Sequence, residues 1–500
     1  MRARRPRNQP SKRPRSGELL TPGAARADLP CVSRRAVILV LLAACAAGPL
    51  ASRASAADLW VGGGRAGCSD ALLASAVTTP ALTWCTLGQA ARSAVPGDTV
   101  NVLAADYRET VRFYTSGTPA APIRFVAAEP GVVVDAAGAG QALKLMDVSD
   151  VEISGLRVTG ASAQGIWVQG GARVRLVDLD IASNPGAGLT VKGTVGLSLE
   201  ASSVTGNASA GVLELVGTRD ARYAGNEIRG NGVGGATYNG DGIQLGGTGA
   251  DVLANTIAAN GSSTFEHGIY TGAASAGWTI ELNTFADNAG ANLKATGGPG
   301  LIRRNRMTNG TFGLILSDNA APVTAEHNVI SGRAQHLVLL TTGSMPARGR
   351  LWTNTVVQYG RSTSSGDASA VFVVAATSLE LRDNLLCYAG ADSLGVGLWV
   401  NDPARLASLV SDTNWICARD ALSRHPAWAG HRTNLAGWRA SSGQDARSLS
   451  SWAPQLDAEQ RVTSTNWGRG RGDDLGLLED FAGAPLPSGT RVDIGAFRAS

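Results

Sequence analysis

Short apolar strands return along the middle of the chain at a nearly constant interval, and that interval limits the fold more than any other feature. The strands are Ala142-Leu143-Lys144-Leu145, Gly165-Ile166-Trp167-Val168, Gly188-Leu189-Thr190-Val191, Gly242-Ile243-Gln244-Leu245, Gly268-Ile269-Tyr270-Thr271, Asn292-Leu293-Lys294-Ala295, Gly313-Leu314-Ile315-Leu316 and His336-Leu337-Val338-Leu339. Counted at the first apolar residue they lie 23, 23, 54, 26, 24, 21 and 23 residues apart, the long gap holding two coils. The extra coil contains Gly211-Val212-Leu213-Glu214-Leu215, whose pattern leaves either Leu213 or Glu214 on the outside. A chain of 500 residues exceeds what one ordinary core organises, and growth in one dimension by stacked repeats solves that problem.

A second series falls between the strands. Asn226, Asn255, Asn283, Asn305, Asn328, Asn354 and Asn384 recur once per coil, and Asn231, Asn260, Asn288 and Asn309 follow the earlier members four or five residues later. Asparagine tolerates left-handed backbone and bonds to backbone at turns, so stacked asparagines predict ladders of side-chain amides. A period in the low twenties, two-residue alternation and Asn/Gly corners together predict an all-β, right-handed parallel β-helix. At the usual strand spacing, about twelve coils make a rod roughly 55–60 Å long. The 63 glycines suit such corners, and they lack the every-third-residue order of collagen. A leucine-rich horseshoe would need L-x-x-L-x-L and helical segments, which are absent.

The rest of the chain arranges itself around that rod. Residues 1–56 read as an export signal with a basic extension, 57–100 as an N-terminal cap, 101–400 as the β-helix and 401–500 as a C-terminal cap segment. Thr86–Val95 suits a short helix over the apolar end of the first coil. From Trp399 onward the repeat fades and Trp399, Trp415, Trp428, Trp438, Trp452 and Trp467 gather. We read that cluster as a packed cap rather than a row of sugar platforms.

The formal charge of +4 is unevenly spread. Residues 1–56 hold eleven Lys/Arg against Glu18 and Asp28, and the remainder carries a net −5. That remainder argues against nucleic acid as a partner. The basic stretch, the apolar run Ala36–Ala47 and Ala54-Ser55-Ala56 form an export signal. Ser33-Arg34-Arg35 is similar to a twin-arginine signal, and Leu42-Ala43-Ala44-Cys45 to a bacterial lipobox, which would leave a lipid anchor at Cys45 as the one membrane contact. The expected location is the periplasm, the cell exterior or the outer membrane. Cys68, Cys85, Cys387 and Cys417 then remain, an even number that suits disulfides, with Cys68–Cys85 and Cys387–Cys417 the local pairing. There is no Walker A loop, G-x-S-x-G elbow, H-E-x-x-H helix or C-x-x-C pair.

Alternation turns Lys144, Trp167, Thr190, Gln244, Tyr270, Lys294, Ile315 and Val338 outward when Leu143, Ile166, Leu189, Ile243, Ile269, Leu293, Leu314 and Leu337 stack inward. Trp167, Gln244 and Asn239 are the candidate substrate-binding residues, an aromatic face and two amides suited to a sugar. The insertion Gly232–Gly240 and the entry Glu266-His267-Gly268 leave the rod beside Gln244 and Tyr270, and loops on a rigid scaffold concentrate function. Stacking also brings Asp241, His267 and Lys294 near one another. This set suits β-elimination on a uronic acid: Lys294 removes the weakly acidic C5 proton, His267 or Tyr270 serves as acid, and a cation or donor steadies the carboxylate. Lys294 would need a lowered pKa for that task. Calcium held by Asp241, Glu266 or Asn239 would supply the clamp. A hydrolase would want two carboxylates astride the scissile bond, and the column offers no such pair. Glu281, Arg303 and Glu326 form a matching outward series, which we read as a structural charge ladder.

Gly97-Asp98-Thr99-Val100-Asn101-Val102 with Tyr107-Arg108-Glu109 resembles the opening of bacterial β-helix repeat proteins of the pectate-lyase-like superfamily. Glu266-His267-Gly268-Ile269-Tyr270 and Asn292-Leu293-Lys294 resemble central coils of that group. Asn434-Leu435-Ala436-Gly437-Trp438, Gly443-Gln444-Asp445-Ala446 and Asp493-Ile494-Gly495-Ala496-Phe497 resemble its C-terminal segment. The likeness spans most of residues 58–500. It implies a fold shared with pectate, alginate and chondroitin lyases, mannuronan epimerases and non-catalytic surface proteins. The Lys294 coil is similar to a lyase pattern in which a lysine works with an arginine on the following coil. Here that coil reads Gly313-Leu314-Ile315-Leu316-Ser317-Asp318, without arginine.

Two functions follow as expectations. One is an exported, monomeric lyase or epimerase acting on an acidic polysaccharide or cell-wall glycan through Lys294. The other is a glycan-binding or surface-structural rod without chemistry, for which the missing arginine speaks.

Overall fold

A computed structural model describes residues 56–498 apart from 235–238, 342–344, 346, 362–367, 392–394, 419–425 and 464–467. The expected leader up to Ser55, with Cys45, lies outside the described residues, as do Tyr238 and Trp467. Each turn of the chain lays one strand into each of three sheets, and each sheet holds fourteen strands. The first sheet runs from Asp58–Val61 to Leu409–Asp412, the second from Val111–Phe113 to His431–Arg432, and the third from Ala105–Arg108 to Leu449–Trp452. Neighbouring strands are parallel from end to end, except where His431–Arg432 folds back antiparallel on Pro426–Trp428. The chain is a right-handed parallel β-helix, as the period requires.

Alternation builds the core. Leu143, Ile166, Leu189, Val212, Ile243, Ile269, Leu293 and Leu314 stand in register along the second sheet and are buried. In the ambiguous coil Val212 takes the inward place, which turns Leu213 out and Glu214 in. The Glu214 carboxylate accepts from the Tyr223 hydroxyl at 2.9 Å and the Gly247 amide at 2.8 Å, and burial raises its pKa. One coil departs from expectation. Val338, not Leu337, pairs with Leu314, so Leu339 and not Val338 continues the outward column. The run Leu337-Val338-Leu339-Leu340 is apolar throughout and has no alternation to reveal its register.

Two amide ladders close the corners. In the first, each asparagine from Asn226 through Asn384 donates its backbone N–H and its Nδ2 to the Oδ1 of the next, at 2.8–3.1 Å, ending on Asn414. The preceding residues Ala254, Leu282, Arg304, His327, Thr353, Asp383 and Thr413 are left-handed, with φ between 50° and 59°. Such backbone costs a non-glycine residue about 1–2 kcal/mol, and the three or so bonds made by each asparagine offset it at about 1 kcal/mol apiece.

The second ladder runs Asn184, Asn207, Asn231, Asn260, Asn288. It ends where Asn288 Nδ2 bonds to Asn292 Oδ1 at 2.9 Å. Asn309 is therefore not its last member, and Asn184 and Asn207 are members that stepping the coil period backward would have found. This ladder needs glycine beside it. A Cβ on Gly268 would stand 2.4 Å from the Asn292 carbonyl oxygen and 2.8 Å from Asn288 Nδ2.

The ends are built differently. Helix Leu87–Ser93 is N-capped by Thr86, whose hydroxyl accepts from Gln89 N at 3.1 Å, and Glu109 accepts from the amides of Leu87 and Gly88. At the other end the repeat does not fade at Trp399. Trp399 and Trp415 lie in regular strands, and coils continue to Leu449–Trp452. The segment beyond turns back along the rod. Leu456, Val462 and Ile494 cover Val357, Leu385, Cys387, Trp415 and Cys417 on the outer face of the third sheet. Cys68–Cys85 and Cys387–Cys417 are both disulfide-bonded.

Candidate functional site

The outward column of the second sheet reads Arg112, Lys144, Trp167, Thr190, Leu213, Gln244, Tyr270, Lys294, Ile315, Leu339, Phe372 and Trp399 in continuous register. Gln244, Tyr270 and Lys294 are half-buried neighbours on three successive strands. Lys294 Nζ stands 5.2 Å from the centroid of the Tyr270 ring, a cation–π distance. Gln244 Oε1 is buried without a hydrogen-bond partner. Trp167 lies three strands before Gln244, about 14 Å at the usual strand spacing. Thr190 faces outward yet is fully covered between Trp167 and Leu213.

Behind the column lies a buried polar group. The His267 backbone N–H donates to Asp241 Oδ1 at 2.6 Å, and His267 Nδ1 accepts from the Ala291 backbone N–H at 3.0 Å. The ring therefore carries its proton on Nε2. Burial and the Lys294 charge push the imidazole down to about 3, so it stays neutral and has no imidazolium proton to give near neutral pH. Its centroid is 6.0 Å from that of Tyr270. Burial, helped by Glu266, raises Asp241 to about 7 against the pull of the His267 amide and Lys294. Asp241, His267 and Lys294 thus share one electrostatic environment.

The loop residues play more local parts. Glu266 Oε2 accepts from Ser262 N at 2.6 Å, Ser262 Oγ at 3.0 Å and Ser263 N at 2.9 Å, which pins the loop that enters the Tyr270 strand. Asn239 is exposed, and its carbonyl accepts from Ser209 Oγ at 3.1 Å. The charge ladder forms on the first sheet, with Arg303 Nη2 bonded to Glu281 Oε2 at 2.9 Å. Among the described residues no three His, Cys, Asp or Glu side chains come together as a metal site.

The strands of this sheet change length at the site. They hold three residues at Ile243–Leu245 and Ile269–Thr271, then five at Ala291–Ala295 and Phe312–Leu316. The second ladder stops at this coil too, on Asn292. The site thus occupies the junction between two forms of coil.

Comparisons with known proteins agree on architecture. The family described as periplasmic copper-binding protein (NosD) matches residues 134–298, about a third of the chain, and the match ends at the same junction. Copper is held by nitrogen and sulfur donors. Cys68, Cys85, Cys387 and Cys417 are held in disulfides, which leaves no free thiolate among the described residues for such an ion. No curated protein matches the chain. Among solved structures, the complex of XylC with xylose aligns over 89% of this chain and 98% of its own, at 11% identity and a TM-score of 0.53. The PL6 family alginate lyase AlyGC aligns over 88% of this chain and 58% of its own, at 13% identity and a TM-score of 0.50. These likenesses concern the backbone and show the fold alone: the chain is a right-handed parallel β-helix.

Proposed function

We propose that this protein binds and cuts an acidic polysaccharide on the outer face of the second sheet, by β-elimination at a uronic acid. The in-register run Gln244–Tyr270–Lys294, with the lysine over the tyrosine ring, carries the reading. Lys294 in its uncharged form takes the C5 proton. The electrons of the C5–H bond form the C4–C5 double bond, the C4–O bond breaks, and the leaving oxygen takes the Tyr270 hydroxyl proton. The proton then passes from the Lys294 ammonium to the Tyr270 phenolate, which resets the pair.

His267, held neutral, is a positioning residue in this scheme. Its bond to Ala291 ties the Tyr270 strand to the Lys294 strand, so the acid role falls to Tyr270 alone. Gln244 contacts the polymer beside Tyr270, and Trp167 and Asn239 contact it further along. Where calcium takes part, Asp241 and Glu266 are the carboxylates that would hold it and Asn239 the amide; it would supply positive charge for the uronate. Two disulfides support an exported protein that meets its glycan outside the cytoplasm, as a monomer, with a lipid anchor at Cys45 included in the proposal.

A second reading, glycan binding without chemistry, is favoured by one observation: the strand after Lys294 presents Ile315 rather than a second cation. Incubation with pectate, alginate and glycosaminoglycans separates the two. The lyase reading expects ultraviolet-absorbing unsaturated ends from one polymer, and a rate about 10²–10⁴-fold lower for Lys294→Ala. Exchange of the C5 proton for deuterium without unsaturated ends identifies an epimerase. Retention of a polymer with neither outcome establishes the binding rod.

A further inference from the structure

A cavity of about 390 Å³ lies between the outer edge of the first sheet and the returning C-terminal segment, lined by Arg303, Arg304, Glu326 and His327 on one side and Gly476–Glu479 on the other. We propose that it is a second binding site, for a neutral, hydroxyl-rich ligand about the size of one sugar ring. It is on a different sheet from Tyr270 and Lys294 and does not depend on the reaction assigned to them.

Its lining groups define the ligand. His327 and Glu326 are only 4% and 9% exposed, and both stand on the cavity wall. An imidazole beside a carboxyl suits a molecule that both donates and accepts. Desolvation, with Arg304 and Arg303 nearby, pushes His327 down to about 4 despite Asp480, so its neutral ring offers one donor and one acceptor. Burial raises Glu326, whose carboxyl accepts or, when protonated, donates.

Charge excludes the alternatives. Arg303 is paired to Glu281 at 2.9 Å, and Arg304 to Glu479 at 2.9 Å and Glu281 at 3.8 Å. An anion would face Glu281, Glu326 and Glu479, and a cation would face both arginines. Hydroxyl groups meet neither penalty and can bridge His327 and Glu326. The volume falls in the range of small-molecule sites, about 300–1,000 Å³. The sequence pattern by itself reads Arg303 and Glu326 as a structural ladder, because the covering segment is more than a hundred residues distant in the chain.

The test uses the full chain with glucose, xylose, mannose and galactose as probes, followed by saturation-transfer NMR and calorimetry. At least one sugar is expected to bind, with affinity falling roughly tenfold or more in both Glu326→Gln and His327→Asn. Asparagine keeps the left-handed backbone of residue 327, and an unchanged thermal midpoint certifies the fold of each variant. Lys294→Ala should leave this binding intact even if it abolishes activity on polymers. The proposal is overturned if none of the four sugars binds, showing a cavity filled by water alone. It is equally overturned if binding survives both substitutions or disappears with Lys294→Ala.

Discussion

The two halves of the rod follow the same coil period and treat their outer faces in opposite ways. Along the third sheet the outward column reads Asp180, Ser203, Glu227, Thr256, Thr284 and Arg306, then turns to Val329, Thr355, Leu385 and Trp415. The second sheet changes at the same level, from Gln244, Tyr270 and Lys294 to Ile315, Leu339 and Phe372. In the third sheet the reason is visible: the C-terminal segment returns over the later coils and buries Leu385 and Trp415. Outward in a strand therefore means exposed only where nothing comes back to cover it. The candidate site sits at the last coils before that change, where polar side chains still face solvent on a lengthening strand.

Substitutions within one column should break or sharpen this contrast. Trp415→Ala removes a fully buried side chain from under the C-terminal segment, and denaturant titration should show a loss of about 3–5 kcal/mol. Thr256→Ala, in the same column on the open half, should stay within about 0.5 kcal/mol. Equal losses would mean that the segment does not shield the later coils.

Ladders provide a smaller effect. Asn255→Ala leaves the backbone N–H and Nδ2 of Asn226 without their acceptor, and such buried unsatisfied groups cost about 1–3 kcal/mol. Asn309→Ala, outside the ladder, should change stability by less than about 0.5 kcal/mol. A large effect at Asn309 would restore it to the series that spacing alone suggested.

Buried titrations should yield the subtlest signal. Asp241 titrates near 7 in the folded protein against 3.8 in the unfolded chain, so the native state holds its proton more tightly. That contribution to stability is present at low pH and is lost as pH rises from about 4 to 7. His267 acts the other way: its folded value near 3 lies below 6.5, so its contribution is lost as pH falls through that window. Asp241→Asn should remove the falling limb and leave a curve that rises with pH. An unchanged pH profile of the thermal midpoint would show that Asp241 is ionised throughout.

Much of the architecture was legible because it is periodic. Strand alternation around Leu143, Ile166 and Leu189 marks an inside and an outside, and the first asparagine series is spaced by the coil itself. Legibility failed where the pattern was locally uniform or the contact was remote. Nothing in Leu337-Val338-Leu339-Leu340 distinguishes one register from the next, and Asn309 keeps the spacing of its ladder while Asn292 takes its place. The candidate site was legible as a column, Gln244, Tyr270 and Lys294, but the neutral state of His267 depends on an amide from the next strand.

Sequence alone determined that this chain must be a stacked coil, because its apolar residues can be buried and its strand edges paired only by the neighbouring turn. Tertiary structure alone decided which outward columns are surface. That depends on where the described residues after Trp452 return, and a segment's docking is governed by apolar and ionic partners far away in the chain, such as Leu385 for Ile494 and Arg304 for Glu479. Local periodicity carries no information about such partners.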